Sequence, residues 1–380
     1  MPRVEEVRVS VLSAPIEDAV PMSFAALTER RTCVVEVVAG GQTGIGESWI
    51  NYPPWAAAER MATLVEGVAP LLLGEDAGDP VGVQRRLLER LLPMGRQAGA
   101  QGPVWQAVSA VDVALWDLAG RLAGVPLPTL LGGDAARPHV PAYASGVGPT
   151  YVEELCEVAL AQGLSTIKAK VGFGRETDES TLGDIRASVP ADVTVLVDAN
   201  QAWDLTTARA VLPLLEEHRV GWIEEPLNGD NVEELAELAR HTSIPLATGE
   251  NVYGLEELRR RADSGAIGYL QPDLAKSGGF TVAAEMAAHT RGSGVRLAPH
   301  CYSSALGLLA ALHLAAAWAH VAVLEVDVRP NPLRTDLLTE PLLWRDGELV
   351  VPTGPGLGST LAEDVVDDLR TDHARLTWRR

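Results

Sequence analysis

The chain has 380 residues, 47% of them hydrophobic and 22% charged, enough apolar material for one large domain or two. Its formal net charge of −20 excludes nucleic acid or an anionic membrane surface as partner, since both need a basic footprint. Three cysteines, Cys33, Cys156 and Cys301, match no zinc or disulfide spacing, so a reducing, cytoplasmic compartment is expected. The N-terminus lacks a signal-peptide core, and no apolar run approaches the ~20 residues of a membrane span.

In chain order, residues 1–130 read as an α+β unit. Strands are predicted at Val4–Leu12 and Thr32–Val38, with Gly40, Gly41, Gly44 and Gly46 supplying turns between and after them. Helices are predicted at Pro54–Leu72, Pro80–Leu92 and Pro103–Leu122. The pattern then changes to strand-like runs alternating with amphipathic helices. Eight strands are predicted: His139–Ser145, Thr166–Val171, Val193–Asp198, Gly221–Glu224, Leu246–Glu250, Ile267–Asp273, Val295–His300 and Val321–Glu325. Predicted helices among them include Val152–Ala161, Thr206–Glu217, Val232–Ala239, Thr281–Thr290 and Ser304–Ala317. Apolar strands with helical crossovers make a buried parallel sheet, and eight such units point to a closed barrel over 135–330. An open nucleotide-binding sheet would need a G-x-G-x-x-G turn after its first strand, and Gly172-Phe-Gly174 lacks the third glycine. The segment 331–380 carries a hairpin turn at Asp346-Gly347 and is expected to pack back on the N-terminal unit without extending the barrel.

Chemistry is concentrated at the ends of these strands. Lys170, Asp198, Glu224, Glu250, Asp273, His300 and Glu325 follow one another at gaps of 28, 26, 26, 23, 27 and 25 residues, about one strand, one helix and two loops each. A ring of acids and bases at the carboxyl ends of parallel strands is the active-site plan of a (β/α) barrel. Three converging carboxylates, Asp198, Glu224 and Glu250, would repel one another unless a hard divalent cation such as Mg²⁺ joined them. Asn200 and Glu225 are candidate supports beside these ligands. Lys168 and Lys170 share one strand face. Lys170, nearer the mouth, is expected to have a lowered pKa and serve as general base, while Lys168 stays charged and holds a substrate carboxylate. Asp273 would fix the tautomer of His300, making a second base on another side of the site. Glu325 could donate to the substrate carboxylate. Cys301 beside His300 lacks the partners of a nucleophile. The parts together describe removal of an α-proton from a small-molecule carboxylate, with the enediolate charge stabilised by the metal.

The motifs Lys168-Ala-Lys170, Val197-Asp198-Ala-Asn200, Trp222-Ile-Glu224-Glu225-Pro226, Gly249-Glu250-Asn251, Gln271-Pro-Asp273 with Gly278-Gly279, and Pro299-His300 resemble the enolase superfamily, and within it the mandelate racemase group. The helix around Val111–Gly120 and the tail stretch Pro355–Gly358 are also similar. The resemblance covers almost the whole chain. It implies an α+β capping domain on a modified TIM barrel, (β/α)₇β, with cap loops near Val20–Phe24 and Trp49–Trp55 closing over substrate. Asn200, Tyr143, Trp49 and Tyr52 are expected around that substrate. Asp273 stands where the muconate lactonising branch carries a catalytic lysine, so Lys276 is expected to be structural or a support beside the site, not the second base. The resemblance implies an acid-sugar dehydratase or lactone-opening enzyme, with racemisation or epimerisation of an α-hydroxy acid or cyclic amino acid as the alternative. The loop Trp49–Trp55 is more aromatic than a polyhydroxylated substrate demands, which keeps a less polar hydroxy acid or a cyclic amino acid open. A non-catalytic binding paralogue would be expected to have lost a ligand or base, and none is missing. A homo-oligomer is the expected assembly.

Overall fold

The computed structural model describes residues 2–133, 136–227 and 231–378. Residue 135, where the barrel domain is expected to begin, lies outside them. The chain opens with three antiparallel strands, β1 (Glu6–Pro21), β2 (Ala26–Ala39) and β3 (Gln42–Trp49). Both predicted strands exist but are longer than predicted, and β3 was read from sequence as turns. Only Gly40 and Gly41 form the turn, at φ 58° and 74°. Gly44 and Gly46 are strand residues against a helix. A Cβ on either would meet a carbonyl oxygen of that helix at 2.1 Å, so glycine here serves close packing.

Helices α1 (Ala56–Ala62) and α2 (Ala69–Leu72) flank a π turn over Thr63–Val68. One helix was expected here. Pro70 has no N–H for the carbonyl four residues back, and the helix widens just before it. Then come α3 (Pro80–Gln97), α4 (Gln101–Ala123) and the short α5 (Leu127–Leu130). Asp79 caps α3 by accepting from the Gly82 N–H at 2.9 Å, and Gly124 in the left-handed region ends α4. Helix α4 is the one that covers β3.

The barrel follows in strict alternation. Its elements are β4 (His139–Val147), α6 (Val152–Ala161), β5 (Thr166–Lys170), α7 (Arg175–Ser188), β6 (Thr194–Asp198), α8 (Leu205–Glu217), β7 (Val220–Glu224), α9 (Val232–Ala239), β8 (Leu246–Thr248), α10 (Leu255–Ala262), β9 (Tyr269–Leu270), α11 (Gly279–Thr290), β10 (Arg296–Leu297), α12 (Ala305–Ala317) and β11 (Leu324–Asp327). Consecutive strands from β4 to β10 pair in parallel. Strand β11 returns to β4, and a bridge from Leu297 to Val321 closes the last gap. Seven strand–helix units and an eighth strand make a (β/α)₇β barrel, the modified TIM barrel expected. Strands β8, β9 and β10 are only two or three residues long, so Glu250, Asp273 and His300 stand on the loops just beyond them.

The barrel floor is packed with Tyr143, Leu196, Trp222, Ala247 and Ala298. Tyr143 and Trp222 meet edge to face at 5.3 Å. This plug leaves room for polar groups only at the carboxyl end.

The remaining elements are α13 (Pro332–Thr335), β12 (Trp344–Arg345), β13 (Glu348–Val350), α14 (Glu363–Leu369) and β14 (Arg370–Thr377). They divide between the two units. Asp346 and Gly347, both at positive φ, turn β12 into β13, and β13 pairs antiparallel with β4. The tail therefore does lengthen the barrel's sheet at the amino-terminal half of β4, against the expectation that it would not. Strand β14 instead crosses to the cap and pairs with β1 over Glu6–Leu12.

Candidate active site

Every group in the predicted ring reaches the barrel's carboxyl end, and each is nearly or wholly buried. Lys170, Asp198 and Glu224 are the last residues of β5, β6 and β7, in adjacent register. Asp198, Glu224 and Glu250 each offer a carboxylate oxygen within 4.8 Å of the others. The donor set is all oxygen, which suits a hard divalent cation. Without one, the three acids cannot all ionise cheaply. Burial, followed by the nearby carboxylates and against the pull of Lys168, raises Glu224 to about 8. Gln271 donates to its second oxygen at 2.7 Å, fixing the carboxylate's orientation.

The two strand lysines hold different partners. Lys168 Nζ lies 2.5 Å from Glu224, 2.8 Å from Glu325 and 3.8 Å from Asp198, with the Tyr143 ring beneath it at 5.4 Å. Lys170 Nζ donates to Asp198 Oδ2 at 2.6 Å and Asn200 Oδ1 at 3.0 Å. Its pKa was expected to be lowered, and it is raised. Burial pulls it down, but Asp198 and Glu250 together outweigh burial and the repulsion of Lys168 and keep the ammonium. A nearby cation would lower the pKa, whereas the carboxylate in direct contact raises it. A cation on Asp198 would draw that negative charge away from Lys170.

His300 Nδ1 is 2.7 Å from Asp273 Oδ2, and its Nε2 is 3.2 Å from Glu250. Burial opposes its charge, but Glu250, Glu325 and Asp273 outweigh burial and raise it to about 9. Glu325 accepts from Ser145 Oγ at 2.5 Å and from the Cys301 N–H at 3.0 Å, and Lys168 and His300 hold it below the usual carboxylate range.

Over these groups lies a cavity of about 680 Å³ between cap and barrel. Lys170, His300, Glu250 and Asn200 line it from below, and Trp49 and Tyr52 from the cap. Lys168, Glu325 and Tyr143 sit one layer beneath that wall, so Tyr143 supports Lys168 and does not line the cavity. Lys276, expected to be structural or a support beside the site, lines it. Its Nζ donates to Asn251 at 2.8 Å and stands 4.0 Å from Glu250 and 4.6 Å from the Trp49 ring. Asn251 and Gln201 in turn hold Glu225. From the cap, Arg60 reaches Gln106, and Gln106 donates to Tyr253 at 3.1 Å. Nothing local in the sequence marks Arg60, Gln106, Tyr253 or Tyr302 as cavity residues. The Lys276-Ser-Gly-Gly279 stretch was visible, and only the fold shows that its lysine points inward. All three lysines of the chain, Lys168, Lys170 and Lys276, belong to this one site.

Comparison with known proteins agrees with this geometry. Residues 5–132 match the N-terminal domain of mandelate racemase and muconate lactonizing enzyme, and residues 150–365 match an enolase C-terminal domain-like family. The chain therefore belongs to the mandelate racemase/muconate lactonizing enzyme family of the enolase superfamily. Its relatives include an L-talarate/galactarate dehydratase of Salmonella typhimurium, 32% identical over 95% of this chain and 89% of that one. A D-galactarolactone cycloisomerase of Agrobacterium fabrum is 30% identical over 82% of this chain and 85% of the relative. Among solved structures, L-talarate dehydratase from a Polaromonas species, complexed with Mg and L-glucarate, superposes with a TM-score of 0.86. It is 30% identical and covered in full by this chain. These relatives are dehydratases and cycloisomerases, and this chain, as a member of their family, is an enzyme.

Proposed function

We propose that this protein removes the α-proton of a small carboxylic acid bound at a Mg²⁺ ion, and that the net reaction is dehydration of an acid sugar or opening of its lactone. The observation that carries this reading is the pairing of two bases with one acid cluster. Lys170 touches Asp198, His300 touches Glu250, and both bases line the same cavity. Asp198, Glu224 and Glu250 would hold the ion. When bound, Mg²⁺ supplies Lewis-acid stabilisation of the negative charge that develops on the substrate carboxylate.

The chain's own residues do the rest. Lys168, buried and charged, presents positive potential from below the ion's ligands, and Glu325 and Tyr143 hold it there. Lys170 accepts the proton on its side of the α-carbon in its neutral form, reached by releasing the ammonium proton to solvent once Asp198 no longer holds it. His300, its tautomer fixed by Asp273, serves the other side. In a β-elimination His300 would protonate the departing hydroxyl. In lactone opening it would protonate the departing ring oxygen. The cap excludes water through Trp49, Tyr52 and their neighbours.

Bases on separate sectors of the barrel mouth also favour a second reading, 1,1-proton transfer by racemisation or epimerisation. ¹H NMR in D₂O with Mg²⁺ separates the two across acid sugars, their lactones and α-hydroxy acids. Conversion to a 2-keto-3-deoxy acid or loss of the lactone supports the first reading. Deuterium entry with inversion supports the second. No exchange with any acid overturns both.

A further inference from the structure

Arg30 of β2 and Asp327 of β11 form an ion pair at 2.6 Å with both side chains only 2–3% exposed. It joins the cap to the eighth barrel strand and takes no part in the chemistry above. Such a pair is a weak source of stability, because desolvation of two charges cancels most of the attraction. Its geometry shows what it holds. The Arg30 guanidinium lies 4.9 Å from the centre of the Tyr302 ring. The Lys170 ammonium lies 5.7 Å from the same centre, within range of a cation–π contact. The fold makes room for the pair: a Cβ on Gly146, at φ 83°, would stand 2.8 Å from Asp327 Oδ1.

Tyr302 is held from the cap in two further ways. Its carbonyl accepts from Asn51 Nδ2 at 2.9 Å and from Trp49 Nε1 at 3.3 Å. Its ring packs with Val20, Met22 and Leu27 on the β1–β2 hairpin. One residue, two beyond His300, thus meets three cap segments through its carbonyl and its ring, and the ring faces the lysine at the end of β5.

We propose that Tyr302 is a positioning residue that holds Lys170 on its side of the cavity, and that the buried Arg30–Asp327 pair sets the ring's place when the cap is seated. The ring face shields one side of the Lys170 amine from water and limits its swing. This rests on the reading of Lys170 as a base, and the test separates the two.

The first readout needs no turnover. The chain has only three lysines, all at the site, so reductive dimethylation with formaldehyde and cyanoborohydride, followed by peptide mass spectrometry, reports Lys170 against Lys276 within one molecule. On the full chain after chelation of divalent cations, Tyr302→Leu should raise Lys170 labelling relative to Lys276 on the order of tenfold, the size a desolvated cation–π contact carries. Tyr302→Phe keeps the ring and should stay near wild type. Arg30→Met should follow Tyr302→Leu in part, and Arg30→Lys should recover toward wild type. An unchanged Lys170 to Lys276 ratio in Tyr302→Leu, or an equal rise at both lysines, overturns the proposal. So does Tyr302→Phe matching Tyr302→Leu, since the ring would then not be the agent.

The second readout is proton exchange with Mg²⁺ and a pair of acids epimeric at the α-carbon. Tyr302→Leu should slow exchange of the epimer served by Lys170 about tenfold in kcat, with the other epimer and both KM values little changed. Equal slowing of both epimers overturns the positioning role. Wild-type protein that exchanges neither epimer overturns the function proposed for the site, while the labelling ratio still decides the place of Tyr302.

Discussion

Glu224 carries the most obligations of any side chain in the site. One oxygen takes Lys168, the other takes Gln271, and the carboxylate still faces Asp198 and Glu250. Glu224→Gln keeps the shape and removes the charge. It should lower activity by at least about 100-fold, the scale on which removal of one electrostatic contact to a transition state is felt. Mg²⁺ titration calorimetry should show weakened binding in the same variant. Unchanged affinity and turnover would remove Glu224 from the ligand set. Lys170→Ala and His300→Asn should each abolish exchange for one α-epimer and spare the other, followed by NMR in D₂O. The spacing of acids and bases was legible because a strand–helix unit has a nearly fixed length, so residues at strand ends recur with it. Lys276 and Tyr302 were not legible, since their importance depends on what the cap brings above them. The raised pKa of Lys170 was missed for a related reason: sequence spacing gives neighbours, and only coordinates say which neighbour is in contact.

At the scale of elements, the barrel helices and the long cap helices were readable from apolar content and periodicity, although α4 and α12 are buried on nearly every side. Strand β3 was not, because its glycines imitate turns while serving helix α4. Gly46→Ala tests this. Its methyl would collide with the Ala110 carbonyl, and the variant should lose about 1–3 kcal/mol on denaturant unfolding. Gly41→Ala meets nothing within 4 Å, so any loss there comes from its φ of 74° alone. Helix α12 is buried over all of its residues, including His313. The His313 Nε2–H donates to the Leu357 carbonyl at 2.9 Å, and burial lowers its pKa to about 4. The folded protein therefore binds this proton less readily than the unfolded chain. The stability from keeping His313 neutral is present above the ordinary histidine pKa. It is lost as pH falls from about 6.5 toward 4, by up to about 3 kcal/mol. Urea unfolding across that range should show the slope, and His313→Gln should flatten it.

The whole molecule is two cores in contact. Residues of β1, β2 and β3 such as Leu12, Val34 and Ile45 belong to the barrel's core, while the outer face of the same sheet packs on the cap helices. Among the described residues, no helix is long and apolar enough to cross a membrane. All three cysteines are buried, and burial pushes the Cys33 thiol up to about 12 and Cys156 to about 11. Ellman's reagent should find no fast-reacting thiol in the native protein and three after denaturation. Fast reaction at Cys301, which sits between the cavity residues His300 and Tyr302, would show that cap and barrel separate in solution.

The cap sheet takes its outermost strand from residues 370–377, beyond the entire barrel. Synthesis delivers β1 first and its partner β14 last, roughly 20 to 70 seconds later at ordinary translation speeds. Through that interval the nascent cap presents the unpaired edge of β1, Val7, Val9 and Val11 included, while the barrel emerges behind it. An open apolar strand edge invites pairing with other chains. The cap sheet is thus begun before the barrel and completed after it.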